Sequence, residues 1–327
     1  MAQRALIVRA VIVLAAFLPP VLMLTYGIAK GRGSWRSESM WTAVCIGAVS
    51  AIAAGMIELL LSLFFKFGAA DPILGAAKTA ILLAAIPEET TKFLVLLALA
   101  EKYARRLQDV LILAVAVSVG FATLENLLYI MAKGHLATVV VRAITSIPGQ
   151  GMDALAMGSL VIVARLRRDH DASGLILALI VPVILHAAYD FPLLAMQKGA
   201  DKAQLSVVWG VVMICSAVFV IVLCHHVLAK AIAADQASGC DDASTETTDR
   251  LMIGGVIALF GGPMLAASYL YAEGSKDVGL MALSILPMAF GLDSIFTGLD
   301  RRRERKLRAH ARAAADFPPG CGGAISL

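Results

Sequence analysis

The sequence predicts an all-α integral membrane protein, a polytopic bundle of eight or nine transmembrane helices with an intramembrane polar site. Of the 327 residues, 59% are hydrophobic and 16% are charged, and the mean hydropathy is +0.82. A soluble domain is about half apolar and a quarter charged. The apolar runs are continuous, whereas a transmembrane β-barrel would alternate apolar and polar residues in short segments. Composition and pattern therefore both indicate helices that span a bilayer.

The individual spans follow from the length rule, because a spanning helix needs about 20 mostly apolar residues. The first apolar run follows Arg4 and Arg9, as in a signal peptide, but it is long, contains Pro19-Pro20 and has no small-residue cleavage site. We therefore expect it to be a retained helix. The predicted spans cover residues 5–29, 40–65, 73–100, 109–131, 137–164, 174–196, 205–232, 251–271 and 278–299.

These spans divide the chain into four predicted regions. Two helices occupy residues 1–72, and a core that carries the polar motifs occupies residues 73–196. Further helices occupy residues 197–300, with a polar, acidic linker near 235–249, and residues 301–327 form a basic tail.

Lysine and arginine residues are concentrated in alternate connections between the predicted spans, and they recur in the run 301–306. Basic loops stay on the cytoplasmic side, so this bias predicts a cytoplasmic C-terminus. The basic tail is typical of a segment that contacts anionic lipid. Because the basic residues lie at membrane boundaries, the net charge of +4 does not indicate a nucleic-acid partner.

Four of the predicted spans contain polar residues that are costly in hydrocarbon. A charge at the bilayer centre costs at least about 2.5–3.5 kcal/mol, so such groups usually face one another or a wet cavity. At 1.5 Å per residue, the central ones fall within about two helical turns of a common depth. We expect one polar chamber, with contributions from Glu88, Glu89, Lys92, Glu125, Asn126, Gln150, Asp153, His186 and Asp190.

Local spacing predicts contacts within this set. Glu88 and Lys92 are four residues apart on one helix, as are His186 and Asp190, so each pair shares a face. Pro87 lacks an N–H and is expected to kink or restart its helix beside the two glutamates.

Three further charges lie toward the outer side of the membrane. Glu58 and Lys78 are expected to pair with each other. Arg142 opens the fifth predicted span, where it either reaches the interface or binds a carbonyl or carboxylate of a substrate.

Two kinds of chemistry suit the central set. In the first, Glu125, His186 and either Glu88 or Glu89 hold a divalent metal, most simply Zn²⁺, while the other glutamate is a base toward bound water. In the second, no metal is needed: a glutamate in the apolar site is the general base, and His186 and Asp190 stabilise the oxyanion. Both lead to hydrolysis of a peptide bond inside the membrane.

Three motifs, in this order on successive predicted helices, resemble those of the PrsW family of intramembrane proteases, which is related to the type II CAAX prenyl endopeptidases. They are Glu88-Glu89-x-x-Lys92, Phe121-x-x-x-Glu125-Asn126 and His186-x-x-x-Asp190. The resemblance covers about a third of the chain, residues 81–191.

The resemblance implies a peptidase that cleaves a membrane-anchored protein, such as an anti-sigma factor, in a prokaryotic inner membrane. It implies that Glu88 and Glu89 are the catalytic pair. Glu125 and His186 would bind the metal or position water, and Asp190 would orient the site.

One position departs from the family pattern. The stretch 142–150 resembles a family segment that usually ends in histidine, but here it ends in Gln150. Glutamine is a poor zinc ligand, so a metal site at this position would be weakened or reshaped. Asp153 lies three residues on and can share the same face. Alternatively the position only donates and accepts hydrogen bonds, and glutamine is adequate; an inactive relative that binds transmembrane peptides is the remaining interpretation.

The main alternative function is an ion- or proton-coupled transporter, because intramembrane acids also relay ions. Transporters often have repeated halves with broken helices. Here the charged motifs cluster in the third to sixth predicted spans, without a counterpart in the last three. This asymmetry favours an enzyme.

Overall fold

A computed structural model of the protein describes residues 37–67, 70–133, 136–166 and 172–237; it does not describe the side chains of 37, 38, 130–133, 136–145, 147, 148, 221, 232, 235 and 236. Every secondary-structure element in the described part is a helix. Its helices are α1 (Ser37–Phe64), α2 (Pro72–Lys78), the π-helical segment Thr79–Ala85, α3 (Ile86–Tyr103), α4 (Asp109–Lys133), α5 (Leu136–Leu166), α6 (Ala172–Gln197) and α7 (Lys202–Ala237).

Six predicted spans correspond to observed helices, and their ends agree within a few residues. The predicted span 73–100 corresponds to α2, the π-helical segment and α3 together. The spans at 5–29, 251–271 and 278–299 lie outside the described residues, as does the basic tail. The predicted linker lies there as well, except that α7 continues through Ala237. By length and composition, α1, α4, α6 and α7 contain segments able to cross a membrane. The prediction of a helical membrane protein is confirmed.

Short polar residues set two of the helix starts. The carboxylate of Asp71 accepts hydrogen bonds from the backbone N–H groups of Ile73 and Leu74, and Pro72 follows it as the first helical residue. Asp201 caps α7 in the same manner. Such caps satisfy backbone donors that have no partner within the helix.

The helix that carries the two glutamates changes its winding immediately before them. Over Thr79–Ala85 it is π-helical, and the N–H of Ile86 bonds to the carbonyl of Ile81, five residues back. Pro87 follows and cannot donate to the preceding turn. The expected disturbance is therefore present, but it is a wider, underwound stretch of helix before the proline instead of a break. π-Helical turns are frequent at functional sites.

Helices α1 and α4 cross closely. A Cβ atom added to Gly120 would lie 1.9 Å from the carbonyl oxygen of Val44, and one added to Gly47 would lie 2.1 Å from that of Val117. Only glycine permits this distance between backbones, which is the way small residues bring membrane helices together.

The apolar core lies around α4, the most buried of the four candidate spans, which packs on both α1 and α5. The outer face of α1 exposes large apolar side chains such as Val49, Met56 and Leu63. Exposed apolar patches of this extent mark contact with another apolar phase, here lipid. Helix α6 packs against the π-helical segment and α3, which brings its polar residues to the two glutamates.

Candidate active site

The first turn of α3 carries the two glutamates of the site. Glu89 is fully buried, and its Oε1 accepts a hydrogen bond of 2.7 Å from Lys92 Nζ. The same ammonium lies 3.6 Å from Glu88 Oε2, which confirms the expected Glu88–Lys92 pair. Lys92 also lies over the ring of Phe121, 4.1 Å from its centroid. One buried lysine thus compensates two buried carboxylates, as the cost of burying charges requires.

His186 of α6 contacts both glutamates. Its Nδ1 lies 2.7 Å from Glu89 Oε1, and its Nε2 lies 3.9 Å from Glu88 Oε2. The expected pair with Asp190 is present as well, at 3.4 Å from Nε2 to Oδ2. The imidazole is therefore held on one nitrogen by a fully buried carboxylate, while the other nitrogen faces Glu88 and Asp190.

Gln150 of α5 bridges two carboxylates from other helices. Its Nε2 donates to Glu125 Oε2 of α4 at 2.7 Å and to Glu88 Oε2 at 3.3 Å. The hydroxyl of Ser118 donates to the backbone carbonyl of Gln150 at 2.7 Å, which fixes this turn of α5 against α4. The position where the family resemblance implies histidine is thus a hydrogen-bonded amide in this chain.

These side chains face a cavity of about 410 Å³ between α1, α3, α4, α5 and α6. Glu88 and His186 belong to its wall, whereas Glu89 lies behind them and has no exposed surface. Five carboxyl groups line the cavity, and the lining residues are Ala51, Gly55, Glu58, Ala84, Glu88, Phe121, Glu125, Leu128, Tyr129, Ser146, Gly149, Gln150, Asp153, His186, Tyr189 and Asp190.

Three buried residues are arranged so that they could hold a metal ion. Glu88, Glu89 and His186 each offer one ligand atom, and these atoms lie within 4.8 Å of one another. Glu89 Oε2 is buried without a hydrogen-bond partner, so it is available to a cation. Carboxylate oxygen and imidazole nitrogen are both zinc ligands. The donor set therefore fits a divalent metal.

The structure brings most of the predicted site residues together. Glu88, Gln150, Asp153, His186, Glu125 and Asp190 line the cavity, while Glu89 and Lys92 lie behind its wall. Asn126 is buried on α4 next to Glu125 in the chain. The close donor group contains Glu88 in the place where the sequence suggested Glu125. Arg142 lies on α5, but its side chain is outside the described residues.

Sequence reasoning did not assign Glu58 to the site. It lines the cavity from α1, and no ion pair with Lys78 occurs in the described part of the chain. Glu58 lies on a separate, mostly lipid-facing helix and belongs to none of the three motifs, so the sequence did not connect it with the other site residues. A carboxyl group in the middle of an apolar span was the one available signal.

Comparisons with known proteins give matches to one protein family. The family described as PrsW family intramembrane metalloprotease matches residues 36–224, more than half of the chain. Protease PrsW of Shouchella clausii is 30% identical over 182 residues, which cover 55% of this chain and 82% of that protein. Protease PrsW of Clostridioides difficile is 27% identical over 188 residues, with 55% and 79% covered.

A shorter match, to Protease PrsW of Bacillus subtilis, has 36% identity over 91 residues, which cover 28% of this chain and 41% of that protein. No solved structure matches. The family match includes every helix that lines the cavity. The chain therefore belongs to the PrsW family of intramembrane metalloproteases and is an intramembrane peptidase.

Proposed function

We propose that this peptidase hydrolyses a peptide bond of a membrane-anchored protein with Glu88, Glu89, His186 and Asp190 as its catalytic residues. The observation that supports this most is the buried donor group of Glu88, Glu89 and His186 beside a cavity among apolar helices. A cavity of this size admits a short unwound stretch of peptide, and its polar wall provides acid–base groups.

In the metal-free form of the proposal, Glu88 is the general base that carries the proton. It lines the cavity, whereas Glu89 is sequestered behind it by Lys92 and His186. In hydrolysis, Glu88 takes a proton from water as the water oxygen attacks the carbonyl carbon. The C–N bond then breaks, and the same proton passes to the leaving amine. Such general acid–base catalysis contributes about 10²–10⁴-fold.

His186 is the group placed to stabilise the developing oxyanion. Glu89 holds its Nδ1 at 2.7 Å, and in the protonated ring the Nε2–H, whose nitrogen lies 3.4 Å from Asp190 Oδ2, is the donor that would meet the oxyanion. Preorganised donors of this kind need no rearrangement when charge develops. Asp190 thereby keeps the orienting role that its motif implies.

In the metal-dependent form of the proposal, Glu88, Glu89 and His186 would instead hold a divalent metal, with Zn²⁺ as the ion that suits their chemistry best, and neither Glu88 nor His186 would then be free for the roles given above. When bound, such an ion polarises a carbonyl and lowers the pKa of water to about 7. Lys92 would remain paired to Glu89 Oε1, because Glu89 Oε2 is the oxygen without a partner. Glu125 would then stay with Gln150 outside the group.

The remaining features of the proposal rest on the sequence pattern and on the family resemblance. The sequence pattern supports eight or nine transmembrane helices with a cytoplasmic C-terminus, and the resemblance supports a bacterial inner membrane and a substrate such as an anti-sigma factor. The central region 73–196 is its catalytic core, flanked by the regions 1–72, 197–300 and 301–327. Arg142, Asn126 and Asp153 support the site.

The test is cleavage of single-span synthetic peptides by the purified protein in liposomes, followed by mass spectrometry. We expect the wild-type protein to cut at least one of a panel, and Glu88→Gln to lower the rate by about 10²–10⁴-fold. Glu101→Gln is the matched control, because Glu101 lies on the same helix but is exposed outside the cavity. Equal turnover by the two variants would contradict the proposal.

A further inference from the structure

The amide of Gln150 is fixed in one orientation by its neighbours. Its Nε2 lies within hydrogen-bond distance of a carboxylate oxygen of Glu125 and of Glu88. Carboxylates accept hydrogen bonds, so the atom that contacts both must be the NH₂ group, and each of its two N–H bonds has one acceptor. The opposite atom, Oε1, is thereby directed away from both glutamates.

That oxygen has no hydrogen-bond partner, although Gln150 is only 5% exposed and lines the cavity. A buried amide oxygen left unpaired is unfavourable, and such atoms are rare in folded proteins. Since Oε1 can only accept, it is complementary to an N–H or O–H donor. The carboxyl groups of Asp153 and Asp190, which line the same cavity, are acceptors themselves when they are ionised.

A peptide cleaved inside a membrane provides such a donor. Cleavage requires the substrate helix to unwind at the scissile bond, which releases backbone N–H groups from their helical partners. In hydrocarbon there is no water to bind them, so the enzyme must supply acceptors.

We infer that Gln150 is a substrate-binding residue whose Oε1 accepts a hydrogen bond from a backbone N–H beside the scissile bond. Glu125 is a positioning residue that acts through Gln150, because its carboxylate holds the amide in the required orientation. This pair therefore belongs to peptide recognition and not to a metal centre. The inference rests on the proposed peptidase function.

The experiment uses the full-length protein in liposomes and a single-span synthetic peptide that the wild-type protein cleaves. Ester analogues of this peptide each replace one backbone N–H near, but not at, the scissile bond by an oxygen. One analogue should raise the wild-type KM by about 5- to 100-fold, the range for loss of a buried hydrogen bond. Gln150→Met should raise the KM for the parent peptide similarly and should not respond further to that ester.

Two controls separate this role from a structural one. Ser159→Ala removes a buried hydroxyl from the same helix, where Ser159 contacts Cys224 away from the cavity, and it should keep the wild-type response to the ester. Metal content of Gln150→Met, measured by elemental mass spectrometry, should equal that of the wild-type protein.

The outcomes distinguish this inference from the function on which it rests. An ester effect that persists unchanged in Gln150→Met, or a loss of metal in that variant, would overturn the role of Gln150 alone. A wild-type protein that leaves every peptide intact would overturn the proposed function and the inference with it.

Discussion

The crossing of α1 and α4 and the polar group around Glu89 are both buried, but they are built in opposite ways. At the crossing, Gly47 and Gly120 bring two backbones into direct contact, and no space remains. Around Glu89, a lysine compensates two carboxylates, and Glu89 Oε2 and Gln150 Oε1 have no partner. Complete packing indicates a structural role, whereas buried unpaired acceptors beside a cavity indicate a ligand.

The largest expected effect on stability comes from the polar group. Lys92→Met removes the cation that compensates Glu88 and Glu89, and breaking a buried ion pair typically costs about 3–5 kcal/mol. We expect a corresponding loss in the free energy of unfolding, measured by denaturant titration in detergent.

The matched double variant Lys92→Met/Glu89→Gln removes one of the uncompensated charges. It should recover part of the lost stability, since glutamine preserves the shape of the side chain. If the double variant were less stable than Lys92→Met, the proposed role of Lys92 in compensating the carboxylates would be wrong.

A smaller effect is expected at the helix crossing. The Cβ of Gly120→Ala would overlap the backbone of α1, and overpacking typically costs about 1–3 kcal/mol. Gly55→Ala is the control: it lies on α1 beside the cavity, and a Cβ there meets nothing within 4 Å. Thermal unfolding in detergent should show a lower Tm for Gly120→Ala and little change for Gly55→Ala. Equal shifts would contradict the close crossing.

The sequence predicted those contacts of the polar group that lie within one helix. The Glu88–Lys92 and His186–Asp190 pairs follow directly from the helical period, and both are present. The common depth of the polar residues also followed from the span ends, because the rise per residue is fixed.

Contacts between helices could not be derived in this way, because they depend on how each helix rotates about its axis. For this reason the sequence left the role of Gln150 open and did not place Glu58 on the cavity wall. The close donor group contains Glu88, whereas the sequence suggested Glu125, and this difference has the same cause. Gln150 holds the side chain of Glu125, while Glu88 and Glu89 lie next to His186. The close crossing of α1 and α4 could not be predicted either, because it depends on how the two helices are oriented.

The central proposal is that Glu88, Glu89 and His186 hold a divalent metal ion and that Glu125 does not. Its most direct test is the metal content of the protein, purified under metal-replete conditions, by elemental mass spectrometry. We predict about one divalent ion per chain, lost in Glu89→Gln and His186→Gln but retained in Glu125→Gln. A wild-type protein without metal, or loss of the ion in Glu125→Gln, would contradict the account.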